Sequence, residues 1–268
     1  MSQLREIEAR LALFDELSGI LLAMRSFAVA ELHRVTKRET AQQQVVQSLE
    51  ISLDDLADSL PKPADGILDK SRHDIWLVFG SMRGFCGSFN EDVIRLWRIE
   101  SHHTAPVILV GERLHGWVTD EIRAVQKLSG ANGGLDAPTT IERILVAVES
   151  IRSHDQFGLM ACFRDEQSAS CRRLWPLSSR ISGKKNSQPF TYAPLATVAA
   201  GVAQHFLFHS LLALLLRSIR VENHMRLMQM ETALQHLQKG GEELQRQRNR
   251  LRQEEIVEEI ELMAGRRQ

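Results

Sequence analysis

The chain opens and closes on long segments with helical periodicity, and these two ends constrain its fold more than any other feature. Near the amino terminus, apolar residues recur every three or four positions, which places them on one stripe of a helix. The stripe comprises Leu4, Ile7, Leu11, Phe14, Leu17 or Ser18, Leu21, Met24, Ala28 and Leu32. A stripe of this length needs a partner helix, so we expect the two ends of the chain to pack together.

The carboxyl-terminal segment supplies a matching stripe. No proline occurs between Thr197 and Gly265, and apolar residues there keep a near-heptad spacing. They are Leu227, Met230, Leu234, Leu237, Leu244, Leu251, Ile256 and Ile260. Gly240 and Gly241 interrupt the pattern at about 1 kcal/mol per glycine in a helix, but small residues also let two helices approach closely. We therefore predict one continuous helix.

Between the helical arms, short apolar runs alternate with helical stretches, which is typical of a mixed or parallel α/β sheet. The expected strands cover residues 74–79, 106–111, 156–163 and 170–177. The expected helices cover residues 90–99 and 140–152.

The predicted organisation is an antiparallel helical coiled coil with a Rossmann-like α/β domain inserted between its arms. Pro61 and Pro63 end the first arm, because proline cannot continue a helix. We place the first arm at residues 1–60, the α/β domain at 73–193 and the second arm at 194–268.

The charge of the chain argues against nucleic acid as a partner. Its net charge is −1, whereas nucleic-acid binding proteins usually carry a basic excess. The second arm has a local basic cluster, but glutamates flank it on both sides, which indicates a solvated, salt-bridged helix surface. The cluster consists of Arg246, Arg248, Arg250 and Arg252.

The three cysteines, Cys86, Cys162 and Cys171, are an odd number and lack a C-x-x-C spacing. This argues against a disulfide framework and against a zinc site, and it favours a reducing compartment. Since no two of them are close in sequence, we expect no redox control. The amino terminus enters an amphipathic helix at once, unlike a signal or transit peptide.

One stretch, residues 195–216, is long enough to be weighed as a membrane span. Gln204, His205, His209 and Ser210 lie near its centre, where polar groups in lipid are costly. We therefore expect a helix buried against protein and no transmembrane span.

No set of residues assembles a convincing catalytic, metal or cofactor site. The glycine-rich turn from Gly80 to Asn90 follows a predicted strand, where α/β sheets bind ligands, but it lacks the Lys-Ser or Lys-Thr of a phosphate loop. Cys86 has no base paired with it and is expected to be a small buried hydrophobe. His205 and His209 have i, i+4 spacing, yet no third metal ligand accompanies them. We predict no cofactor and no metal.

Three segments resemble the gamma subunit of F-type ATP synthases. The first is Leu4-Arg-Glu-Ile-Glu-Ala-Arg10 followed by Ala23-Met24, and the second is Arg83-Gly-Phe-Cys-Gly-Ser-Phe-Asn90. The third and most specific is Glu222-x-x-x-Arg226 with Met230, then Asn249-x-x-Arg252-Gln253-x-x-Ile256-x-x-Glu259 and Gly265. The family has the same architecture of two helical arms around an α/β domain.

The resemblance implies a non-catalytic central rotor stalk that couples ion flow through a membrane c ring to ATP synthesis or hydrolysis in an alpha–beta hexamer. Arg252 and Gln253 would bond a loop of beta, with Asn249 and Met24 near beta as well. A foot domain would meet the c ring and the epsilon subunit through a turn that contains Arg83, Gly84, Cys86, Gly87 and Asn90.

The resemblance also implies a location on the cytoplasmic face of a bacterial plasma membrane, as a peripheral protein. Departures from the family pattern include Met82, where aspartate is usual, and Val257, where threonine is usual. These changes would suit a divergent, sodium-translocating variant of the enzyme.

Two other functions stay open on the residues alone. One is a homodimeric coiled-coil scaffold with a regulatory α/β domain, which would associate in trans. The other is an α/β enzyme that uses the glycine-rich turn and Cys86.

Overall fold

A computed structural model describes residues 2–56, 74–101, 105–117, 125–152, 157–176 and 190–265. Two long helices, α1 (Ser2–Asp55) and α4 (Leu195–Gly265), stand at the two ends. Pro61 and Pro63 lie outside the described residues. Between the long helices the chain forms β1 (Asp74–Phe79), α2 (Phe89–Glu100), β2 (Val107–Val110), β3 (Val125–Leu128), α3 (Ala137–Ile151), β4 (Gly158–Arg164) and β5 (Ala169–Trp175).

The chain divides into two compact units. The helical unit consists of Met1–Val29 and Arg226–Gln268, and the sheet unit consists of Ala30–Met225. Each long helix therefore contributes residues to both units.

The sheet unit contains a mixed sheet with the strand order β3-β2-β1-β4-β5. β1 pairs in parallel with β2 and β4, β2 pairs in parallel with β3, and β5 runs antiparallel to β4. The sequence pattern predicted four of these strands and missed β3. The sequence of that strand is Val-Gln-Lys-Leu. It is too short and too polar at its centre to be recognised as a strand from its apolar pattern.

The core of the sheet unit lies on both faces of the sheet. Ile75, Leu77 and Phe79 of β1 pack on one face with residues of α3, α4 and α1, while Trp76 and Val78 pack on the other face with α2. Every residue of β1 is buried. A strand that is covered on both faces has no polar side, which explains its uninterrupted apolar run.

The apolar run of α4 is buried against this sheet, as expected. Leu211, Leu215 and Leu216 belong to the same core cluster as Ile75. By length and composition, α4 is the one helix among the described residues that could cross a membrane, and 44% of its apolar window is buried inside the molecule.

In the helical unit, α1 and α4 pair antiparallel within one chain. Phe14 lies beside Gly240, where an added Cβ would be 2.8 Å from the Phe14 ring. Arg25 forms an ion pair with Glu231 at 3.3 Å. The helix continues through Gly240 and Gly241, as predicted. Phe14 packs closely on Gly240, whereas no atom lies within 4 Å of a Cβ added at Gly241.

The seam of the helical unit differs from the predicted stripe at two places. On α1 the partly buried residue is Ser18, whereas Leu17 is exposed. On α4 the prediction was wrong for Ile256 and Ile260, which are 50% and 61% exposed. Ile256 follows Leu251 by five residues, more than one helical turn, so the seam passes to Glu255 instead.

The structure also corrects the prediction about cysteines, because Cys162 and Cys171 form a disulfide. They face each other in the antiparallel β4–β5 pair. Sequence spacing does not reveal such a pairing, since it depends on the register of a hairpin that brings the two residues together. Cys86 is a buried thiol, as predicted.

Candidate functional site

The glycine-rich turn connects β1 to α2 and is closed by a small network of polar groups. The Ser81 amide donates to Asn90 Oδ1 at 2.9 Å, and Asn90 Nδ2 donates to Ser81 Oγ at 2.8 Å. Cys86 Sγ lies 3.4 Å from the same hydroxyl. Asn90 is on the first turn of α2, so its side chain joins the two ends of the turn and fixes its width.

The tip of the turn presents backbone and side chains outward. Phe85 adopts φ 60°, uncommon for a residue with a side chain, and Gly87 adopts φ 57°. The Phe85 side chain is 63% exposed, and Arg83 is exposed as well. A left-handed backbone at Phe85 is tolerated here because the network of Ser81, Cys86 and Asn90 determines the path of the chain.

A carboxylate of α4 holds the start of the turn. Glu222 is 5% exposed, and its two oxygens accept from the Met82 and Arg83 amides at 3.4 Å each. Sequence reasoning found Glu222 only as part of the motif that resembles gamma subunits. Its contacts show a local reason for a carboxylate at this place, because it satisfies two backbone donors of the turn.

A second loop is clamped by α1, and sequence reasoning missed it. The buried Glu31 carboxylate accepts from the Gly134 amide at 2.9 Å, while Arg38 donates to the Gly134 carbonyl at 2.6 Å. At Gly133 an added Cβ would collide with Glu31. The Gly-Gly pair at 133–134 was the available signal, because paired glycines often mark close backbone approach.

The network around Asn90 supports a stability prediction. Replacing Asn90 by alanine should lower the free energy of unfolding by about 1–3 kcal/mol, because it leaves the buried Ser81 amide without its acceptor. Chemical denaturation followed by circular dichroism measures this change. Ser88→Ala is the matched control, since the Ser88 side chain is exposed and its hydroxyl donates to Asp92 at the surface. Equal losses in the two variants would contradict the prediction.

The predicted partner residues on α4 lie in the helical unit and share one helix face. Asn249, Arg252 and Gln253 are all exposed, at the i, i+3 and i+4 spacing that places side chains side by side. The seam residues Leu251 and Glu255 are partly buried. Arg252 and Gln253 therefore point away from α1, where a partner could reach them.

The neighbouring charges on α4 pair along the helix. Arg250 bonds Glu254 at 2.9 Å, and Asn249 accepts from Arg248 at 3.3 Å. This agrees with the prediction of a salt-bridged surface. Met24 is partly buried on the seam of α1, beside the ion pair of Arg25 with Glu231.

Of the histidine pair at positions 205 and 209, His209 is partly buried in the sheet unit, whereas His205 is exposed. Gln42 of α1 donates to His209 Nδ1 at 2.6 Å. Burial and the neighbouring His205 lower the pKa of His209, which favours the neutral ring that this hydrogen bond requires. Among the residues that the structure describes, no three His, Cys, Asp or Glu side chains are grouped to bind a metal ion.

Comparisons with known proteins agree with this architecture. A family model described as ATP synthase matches residues 3–266. A search of curated proteins by sequence finds no match.

Solved structures with the same fold come from mitochondrial ATP synthases. A rotor chain of the Euglena gracilis enzyme is 13% identical with a TM-score of 0.65, and the match covers 95% of this chain and 99% of that one. A chain of the Euglena gracilis OSCP/F1/c-ring structure is 15% identical with a TM-score of 0.66, with 98% and 93% covered. A chain of the Tetrahymena thermophila central stalk/c-ring is 15% identical with a TM-score of 0.54, with 80% and 99% covered.

Proposed function

Because this chain belongs to the gamma-subunit family of ATP synthases, we propose that it is the central rotor stalk of an F-type enzyme. In that role it couples ion flow through a membrane c ring to ATP synthesis or hydrolysis in an alpha–beta hexamer. The observation that carries the proposal is the family match over residues 3–266. The rotor and central-stalk structures with the same fold support it.

The stalk acts mechanically and catalyses nothing itself. A single chain inside a ring of repeated subunits presents a different face to each of them, so it biases each toward a different conformation and nucleotide affinity. Rotation then exchanges those affinities in turn. Pairing α1 with α4 suits this role, because two packed helices resist bending and twisting more than one.

The surface of the helical unit supports burial inside a partner. Large apolar side chains are exposed on α1 and near the end of α4, among them Leu13, Ile20, Ile260, Leu262 and Met263. Large exposed apolar surface often marks an interaction site. The apolar stripes of α1 and α4 pack against each other within one chain. A second copy of the chain is therefore not needed to cover them, which argues against a homodimeric coiled coil.

The partner contacts that we propose follow the residues of the resemblance. Arg252 and Gln253 bond a loop of beta, and Asn249 and Met24 lie near that subunit. In the foot domain, the turn with Arg83, Gly84, Cys86, Gly87 and Asn90 meets the c ring and epsilon. Exposed Arg83 and Phe85 at the tip of the turn support this second contact.

We further propose a peripheral location on the cytoplasmic face of a bacterial plasma membrane, with no transmembrane span. The leucines of α4 that gave its apolar window bury against the sheet, which supports that placement. The division into a first arm (1–60), a foot domain (73–193) and a second arm (194–268) is part of the same proposal.

A tagged copy of the full chain, isolated from native membranes, tests the function. Native mass spectrometry should show one copy together with an alpha–beta hexamer, since a stalk is a single asymmetric element. A lone or homodimeric chain, with intact ATPase elsewhere in the same extract, would refute the rotor and favour the scaffold.

A further inference from the structure

A network of charged side chains lies where α1, α4 and the tip of the β4–β5 hairpin meet. All of its members belong to the sheet unit. The network therefore joins the sheet to both long helices. Its members are Glu39 of α1, Arg217 and Arg220 of α4, and Asp165 and Glu166 at the hairpin tip.

Glu39 is the centre of the network and is 4% exposed. Its Oε2 accepts from Arg220 Nε at 2.5 Å, and its Oε1 lies 3.7 Å from Arg217 Nε. Gln43 of α1 donates to the same Oε1 at 3.2 Å. The two arginines are three residues apart, so they lie side by side on one face of α4. One buried carboxylate of α1 thus binds two neighbouring positions of α4.

Both arginines also bind the hairpin tip. Arg220 Nη1 donates to Glu166 at 2.5 Å, and Arg217 Nε lies 3.4 Å from Asp165. Burial lowers the pKa of the Arg220 guanidinium, but hydrogen bonds to Glu166 and Glu39 outweigh that effect and raise it overall. Arg220 is therefore charged and holds a carboxylate of α1 and a carboxylate of the hairpin together.

Stability alone does not explain a buried carboxylate at this place. Taking charges out of water is costly, so well-packed apolar residues of similar volume often stabilise a fold as well as a buried ion pair does. Close to the network, α4 packs on the sheet through Leu211, Leu215 and Leu216. Apolar burial is non-directional, whereas charge-assisted hydrogen bonds depend on distance and angle. The network therefore adds a directional restraint to a core that already supplies burial.

We propose that Glu39 is a positioning residue for rotation: by binding Arg217 and Arg220 at once, it holds α1 and α4 in one angular setting against the β4–β5 hairpin. This inference rests on the proposed function, in which the foot domain meets the c ring and the long helices enter the hexamer. Torque applied to the sheet reaches α1 and α4 through the contacts between these elements. A restraint against turning of the helices on the sheet makes the stalk torsionally stiff.

A second ion pair joins α1 to the sheet, but it lies at the surface. Glu50 pairs with Arg172 of β5 at 3.5 Å, and the two side chains are 41% and 48% exposed. Water and salt screen such a pair, so it restrains the two elements little. Glu50 is therefore the matched control for Glu39, because it has the same side chain on the same helix and also pairs with an arginine.

Hydrogen exchange of the full chain tests the restraint. Glu39→Gln keeps the size of the side chain and removes its charge. Local opening of the hairpin tip and of α4 around Arg220 should become about tenfold to a hundredfold more frequent. Glu50→Gln should leave exchange in both segments at the parent rate. Exchange in Glu39→Gln that is no faster than in Glu50→Gln would overturn the proposal.

Single-molecule rotation of the assembled enzyme gives a readout that a purely structural role would not change. The hexamer is fixed to a surface, and a gold bead is bound to the sheet unit of a stalled complex. The angular variance of the bead then measures torsional stiffness. This variance should rise in Glu39→Gln and stay at the parent value in Glu50→Gln. Equal variances in the two variants would also overturn the proposal.

The triple variant E39M/R217L/R220M separates stiffness from stability. It should unfold at a denaturant concentration close to that of the parent, because apolar residues can replace a buried ion pair, yet its angular variance should rise. A triple variant as stiff as the parent would show that the charges are not the restraint.

Glu166→Gln keeps the proposal testable if Glu39→Gln does not fold. The Glu166 side chain is 63% exposed, so its replacement weakens the contact of the hairpin with Arg220 and leaves the buried carboxylate in place. Its angular variance should rise above that of Glu50→Gln, and an unchanged variance would contradict the proposal. A parent chain that does not assemble with alpha and beta chains would refute the rotor instead, while the exchange experiment would still test the restraint.

Discussion

Replacing Arg252 by alanine should lower ATP hydrolysis by the assembled enzyme about tenfold or more while the chain stays folded. The side chain is exposed on the face that Asn249 and Gln253 share, so its truncation leaves the seam with α1 intact. At an interface, removing one partner of a hydrogen-bonded charge pair costs about 2–5 kcal/mol, much of it from the charge left behind. The rate of ATP hydrolysis by the reconstituted complex measures the effect.

Arg246→Ala is the matched control for this variant. Arg246 lies on the same helix, carries the same charge and is also exposed, but it is outside the predicted contact set. We expect its ATP hydrolysis to stay close to that of the parent complex. Both variants should unfold within about 0.5 kcal/mol of the parent chain, as surface substitutions usually do. Equal losses of activity in the two variants would show that ATP hydrolysis depends on the positive charge of this part of α4 and not on a specific contact of Arg252.

Periodicity predicted the large features of the fold because those features depend on burial. The apolar run of β1 is fully buried, and most residues of the α1 and α4 stripes are partly or fully buried, as their spacing indicated. The prediction failed at Ile256, which belongs to the predicted apolar stripe but is exposed in the structure. An apolar residue that binds a partner chain cannot be told by its spacing in the sequence from one that packs within its own chain.

Contacts between distant segments could not be predicted from one sequence. The Cys162–Cys171 pair needs the register of a hairpin, and the clamp of Glu222 on the Met82 amide joins residues 140 positions apart. The glycine-rich turn was recognised by its composition, but its role as a rigid turn depends on Asn90 and Ser81. Composition can thus locate a turn, while the groups that hold it are known only from the fold.

Gly158 marks another such contact, and it is the place where a small change should most weaken the fold. It pairs with Asp74 in the parallel ladder of β4 and β1. Because it has no side chain, Arg173 of β5 reaches across β4 to Asp74. Asp74 is 3% exposed, and both of its carboxylate oxygens accept hydrogen bonds from Arg173.

Gly158→Ala should lower the free energy of unfolding by about 3 kcal/mol, the lower end of the about 3–5 kcal/mol that breaking a buried ion pair costs, because the Arg173 side chain is 30% exposed. An added Cβ would collide with Asp74 Oδ1 and lie 2.6 Å from Arg173 Nη1, so the methyl group can be accommodated only by separating the two charges. Denaturant unfolding of the full chain measures the loss.

Gly201→Ala is the control, because an added Cβ there meets no atom within 4 Å. Gly201 lies inside α4, so alanine should stabilise the chain by about 0.5–1 kcal/mol. Opposite signs for the two alanine substitutions would separate the collision at Gly158 from the general effect of replacing glycine. A Gly158→Ala chain as stable as the parent would mean that the pair of Arg173 with Asp74 contributes little to stability.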